Sequence, residues 1–162
     1  MKLLSSIFII IFFIVLSNNS LSLDNLIFDA VNNKYRNEED KKRDKFRNPT
    51  DTLSFFGLKR NIKVLEITPG RGWYTKIISN YMKGTDNFYV AKYKKPPFAE
   101  KILTKIQKEF VEYFKNNKDK FGQIKSINID SNFRLDVQEN YFDMILTFRN
   151  TLKDLYSSFI SL

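Results

Sequence analysis

The chain has 162 residues, with 27 Lys and Arg against 18 Asp and Glu and a net charge of +9 at pH 7; this length suits one domain rather than two. It contains no cysteine and no histidine, which removes disulfides, thiolate nucleophiles, cysteine metal sites and the commonest general base. Chemistry must then come from carboxylates, Lys, Tyr or positioning, or from a cofactor that brings its own reactivity.

Residues 1–22 are expected to stand apart from the fold. "MKLLSSIFIIIFFIVLSNNSLSL" has one early positive charge at Lys2, an uncharged apolar run from Leu3 to Leu16 and a short tail of small polar residues. The run is short for a membrane span and has the flanks of a signal peptide, cut after Ser20 or Ser22. Two outcomes stay open: export to the periplasm after cleavage, or anchoring to the inner membrane by an uncleaved segment. No cysteine follows the run, so a lipid anchor of the bacterial lipobox type is not expected. A cut after Ser22 leaves 26 basic residues against 18 acidic ones and a net charge of +8. Such a surface can attract nucleic acid or anionic lipid. The positives are scattered lysines, however, without an Arg-rich stripe among aromatics, and no nucleic-acid partner is expected.

Residues 23–60 read as a helical and charged segment. Leu26, Ile27, Ala30, Val31 and Tyr35 recur at helical spacing, predicting a helix from Asp24 to about Phe46. Asn48-Pro49 breaks it, and Asp51 is expected to cap the short apolar stretch "LSFFG". Arg36, Arg43, Asp44 and Arg47 are either a solvated helix face or a clamp on an anionic substrate or cofactor.

Residues 61–162 alternate between strands and helices. "IKVLEI" is a strand, followed by a glycine turn and a helix from Trp73 to Met82 that Gly84 stops. "NFYVAKY" is a second strand. A helix from Ala99 to Lys118 follows, with Ile102, Leu103, Ile106, Phe110 and Phe114 on one face, and Gly122 ends it. "IKSINI" and "FDMILTF" are the third and fourth strands, and "LKDLYSSFISL" is a final short helix. The alternation predicts an α/β fold with a parallel sheet and crossover helices.

The distinctive stretch is "VLEITPGRGWYT", Val64 to Thr75. Glycines at 70 and 72 let backbone approach a ligand where a Cβ would collide. A plain strand–turn–helix connection would use them too. No Gly-Lys-Ser/Thr follows, so this is not a Walker loop, and Thr75 stands where the dinucleotide motif G-x-G-x-x-G needs its third glycine. Glu66, at the strand's end, would repel a pyrophosphate but suits a cationic amino-acid end. S-adenosylmethionine has such an end and carries no phosphate. Asp130, after the third strand, could accept a hydrogen bond from an adenine amino group or merely cap a loop. Asp143, at the head of the fourth strand, is expected to be structural.

These residues resemble the class I, Rossmann-like S-adenosylmethionine-dependent methyltransferases, and more narrowly a family of bacterial methyltransferases with signal sequences. "RDKFRNPTDTLSFFG", "VLEITPGRGWYT" and "YFDMILTFRN" carry the resemblance. It implies S-adenosylmethionine as cofactor, held by Glu66, Thr68, Gly70, Gly72 and Asp130 with Trp73 and Tyr74 beside them. Trp73 could stack on substrate or adenine, or anchor its helix in the core. Tyr74, Arg149 and Asn150 are weaker candidates for facing a substrate.

Three departures from that pattern bear on function. "VAKYKK" offers no acid after the second strand for the ribose hydroxyls, and Thr68 stands where the class often has glycine. Only four of the seven strands of that fold can be counted, so a truncated product, half of a split enzyme or a partner chain completing the sheet is expected. The rival functions are a non-catalytic binding module and a basic peripheral protein acting on membranes or polyanions. The methyl acceptor is unknown.

Overall fold

The computed structural model describes residues 25–96 and 100–148. The expected leader, Arg149, Asn150 and the expected final helix lie outside the described residues. Among the described residues no helix is long and apolar enough to cross a membrane.

The N-terminal segment is several short helices rather than one. Helix α1 spans residues 25–31 and buries Ile27, Ala30 and Val31. It ends because asparagine side chains offer the backbone other partners. The Asn33 side chain accepts from the Tyr35 amide at 3.0 Å, and the Asn37 side chain accepts from the Asp40 amide at 2.7 Å, capping α2, Glu38–Lys42. Helix α3, Asp44–Arg47, closes on Asn48 in the left-handed region at φ 39°. Asn48 is also the cap residue of α4, Pro49–Phe55, with proline at the helix start. Asp51 therefore sits in the first turn of α4, where its charge faces the positive end of the helix dipole, and does not cap the apolar stretch.

The core of the molecule is a four-stranded, all-parallel sheet in the order β3-β2-β1-β4. Its strands are β1 Val64–Ile67, β2 Phe88–Tyr93, β3 Lys125–Ile129 and β4 Met144–Leu146. Helix α5, Trp73–Tyr81, crosses from β1 to β2, and α6, Glu100–Asn116, with the short α7, Lys118–Phe121, crosses from β2 to β3. This is the α/β parallel sheet expected from the strand–helix alternation, in the Rossmann-like arrangement that the resemblance implies. Its order is that of the first four strands of a doubly wound sheet.

Side chains alternate between the two faces of the sheet. Val64, Val90 and Leu146 join one apolar cluster with Ile77 and Ile78 of α5 and Phe110 and Phe114 of α6. Leu65, Tyr89, Ala91 and Ile127 point the other way, into a second cluster covered by Leu135, Val137, Tyr141 and Phe142. Helices cover the first face, and the connection from β3 to β4 covers the second.

Helix α6 packs by its C-terminal half. Phe110 and Phe114 are buried, whereas Ile102 is 65% exposed, and Leu103 and Ile106 are half-buried. The apolar periodicity marks one face correctly, but burial fades toward the carboxyl end of the sheet.

Candidate functional site

The chain leaves β1 at Ile67 and enters a turn in which three residues take positive φ: Thr68 at 47°, Gly70 at 59° and Gly72 at 77°. The Thr68 amide still donates to the Ala91 carbonyl of β2 at 2.9 Å, and the Gly72 amide donates to the Pro69 carbonyl at 2.9 Å. A β-branched residue in the left-handed region is strained, and such strain concentrates at ligand-holding sites.

Gly72 begins α5, and its lack of a side chain serves packing. A Cβ there would come within 2.7 Å of the Phe114 ring and 3.0 Å of the Phe110 ring. This glycine admits α6 against the helix start, and it does not line the cavity described next.

A cavity of about 260 Å³ opens at the carboxyl end of β1. Glu66, Thr68, Gly70, Trp73 and Tyr74 all line it, so five of the residues singled out in the sequence converge. Phe148, just beyond β4, closes another side, and Ile106 of α6 contributes from the helix layer. The cavity thus lies between the ends of β1 and β4, where the strand order reverses. Open α/β sheets bind their ligands at such switch points.

Glu66 is 2% exposed. Its Oε2 accepts a hydrogen bond from the Thr75 hydroxyl at 2.7 Å. Burial pushes its carboxyl up to about 7, and the Thr75 bond only partly offsets that. At neutral pH the group is poised between acid and carboxylate. A cation entering the cavity would draw it to the charged form.

Trp73 ties α5 to the N-terminal segment. Its indole Nε1 donates to the Asp40 carbonyl at 2.9 Å, while the guanidinium carbons of Arg36, Arg43 and Arg47 lie 5.1, 5.9 and 4.6 Å from its ring centre. Cation–π contact at this range is favourable, more so where water is excluded. Tyr74 stacks on Phe148 with ring centres 3.5 Å apart. Burial raises the pKa of its phenol, against a hydrogen bond involving Thr52 and the charge of Arg47.

Asp130 is exposed and does not line the cavity. Its Oδ1 accepts from the amides of Asn132 and Arg134, both at 2.8 Å, so its carboxylate shapes its own turn. Asp143 accepts from the Lys63 amide at 2.7 Å and steadies the entry to β4.

Several contributors were not singled out in the sequence. Thr75 holds the buried acid from the first turn of α5, a spacing visible in hindsight because nine residues carry the chain around the turn and back. Lys76 is buried and pairs with Asp40 at 2.5 Å. Arg71 lines the cavity and pairs with Glu109 at 3.2 Å. Comparison of the chain with protein-family models, with curated proteins and with solved structures gave no match.

Proposed function

We propose that this domain binds S-adenosylmethionine and transfers its methyl group. The observation that carries the proposal is the buried carboxyl of Glu66 at the carboxyl end of β1, opening on a cavity at the sheet's switch point. When bound, S-adenosylmethionine supplies a methyl group activated on a positively charged sulfur.

The residues present fit that ligand. Glu66 would accept hydrogen bonds from an ammonium, whose charge would draw the buried carboxyl to its ionised form. Thr68 and Gly70 would put backbone against the ligand, and Ile67 and Phe148 would give it an apolar wall. The chain's contribution is then alignment and a dry surface around the reacting atoms.

Calorimetric titration of the full chain with S-adenosylmethionine and its demethylated product tests this. Glu66→Gln should weaken both ligands roughly tenfold to a hundredfold, the worth of a charged hydrogen bond. Absence of saturable binding by the folded wild-type chain would overturn the proposal.

A second reading is a binding module without turnover. The end of β2 presents Ala91, Lys92 and Tyr93 with no carboxylate, and Asp130 is committed to its own turn. Tight binding of the demethylated product without consumption of S-adenosylmethionine would favour it.

A further inference from the structure

Among the described residues, the cavity is lined by one acid and three arginines. These are Glu66, and Arg43, Arg47 and Arg71. Arg43 and Arg47 bracket α3 four residues apart, a spacing that sets two side chains on one helix face. Asp44 is gripped by both terminal nitrogens of Arg36, at 2.8 and 2.6 Å, and Asp40 pairs with Lys76. Arg71 has its own partner in Glu109.

The two ends of the cavity also differ. Glu66 and the glycine turn belong to the end of β1. Arg47 lies over the Trp73 and Tyr74 rings at 4.6 and 5.9 Å, and Tyr74 stacks on Phe148 beyond β4. The acid that would hold an ammonium comes from β1, whereas Arg43 and Arg47 come from the two ends of α3. Guanidinium groups bind carboxylate and phosphate through two parallel hydrogen bonds, which a lysine cannot reproduce.

We infer that the β4 side of this cavity binds a small organic anion, carboxylate or phosphate, through Arg43 and Arg47. Its assignment as the methyl acceptor rests on the methyl-transfer reading; the anion site itself does not. The aromatic wall of Trp73, Tyr74 and Phe148 suits a planar body behind the charged group.

Trp73 is the sole tryptophan and lies against both arginines, so its fluorescence reports on the site. The full chain is titrated at constant ionic strength with benzoate, inorganic phosphate and neutral benzamide, without cofactor. Benzoate or phosphate should give a saturable change, and whichever of the two binds more tightly identifies the anionic group. Benzamide should give none. Arg43→Gln, at an exposed position, should weaken the response at least tenfold, and Arg47→Lys should weaken it while keeping the charge. Lys101→Gln, on the exposed side of α6, should leave it unchanged.

An equal response to benzamide, or an undiminished response in Arg43→Gln, would overturn the site. Calorimetry with the demethylated product separates this inference from the reading it builds on. Unaltered product affinity in Arg43→Gln supports an acceptor role. A tenfold loss would assign the arginines to the cofactor's own carboxylate, overturning that role and leaving cofactor binding intact. Arginine-dependent anion binding in a chain that binds no cofactor would uphold the site and overturn the methyl-acceptor assignment.

Discussion

Glu66 has an ordinary pKa of 4.5 and is pushed up to about 7 in the fold, because burial removes more solvation than the Thr75 hydroxyl restores. The native state therefore holds the proton more tightly than the unfolded chain. The associated stability is fully present below pH 4.5 and is lost as pH rises through about 7. A shift of this size corresponds to about 3 kcal/mol. Glu66→Gln keeps an acceptor oxygen for Thr75 and cannot ionise, so it should remove this loss. Urea unfolding at pH 5 and pH 8 checks the expectation: the wild type should lose about 2 to 3 kcal/mol more than the variant, part of the effect being already lost at pH 5. Equal losses would mean that Glu66 ionises without burial cost. Gly72 makes a different demand, for space and for a φ of 77°. Gly72→Ala combines left-handed strain with overpacking against Phe114 and should cost about 3 kcal/mol. A loss of unfolding free energy in urea below a third of that would show that α6 yields easily.

Among the elements, the N-terminal segment forms one wall of the cavity, and Asp40 fastens it to α5. Its carboxylate pairs with Lys76, whose side chain is 9% exposed, and its carbonyl receives the Trp73 indole. Removing one member of a mostly buried pair leaves a charge without a partner. Asp40→Ala should then cost about 3 kcal/mol. The double variant Asp40→Ala with Lys76→Met should recover part of that loss, because no charge remains buried. A double variant less stable than Asp40→Ala alone would show that Lys76 stabilises the fold without its partner. This wall is also where the sequence was hardest to read. Leu26 to Tyr35 do repeat at helical spacing, yet the hydrogen bonds of Asn33 and Asn37 divide the predicted helix, and periodicity carries no record of them. The four strands fall within two residues of their predicted bounds, because each is a short apolar run closed by glycine, proline or charge. Glu66 and the glycine turn were legible for the same reason: their chemistry is local. Arg71 was equally local but was not singled out. Ile106 and Phe148 reach the cavity from 40 and 82 residues beyond Glu66, a proximity that only the folded sheet creates. Asp130 shows the reverse, a plausible ligand by position whose own loop claims its carboxylate.

Over the whole molecule, the sheet separates the site from much of what stabilises the fold. The cavity draws on the helical face and on the turns beyond β1 and β4. The opposite face is sealed by the connection from β3 to β4, where Tyr141 shares a 2.9 Å hydrogen bond with the Tyr89 hydroxyl. Phe142 meets the Tyr89 ring edge-on at 5.2 Å. A face closed by an irregular connection should open at lower free energy than one closed by packed helices. Phe142→Ala removes half-buried apolar surface there and should cost about 2 kcal/mol, less than for a fully buried ring. Amide exchange should rise in residues 130–143 and along β3, and stay slow in β1, which is paired on both sides. The emission of Trp73 should not change, because its contacts lie on the other face. Were Phe142→Ala to shift that emission, the two faces would be coupled through β1. The Glu66 end of the cavity would then depend on the aromatic seal beneath it.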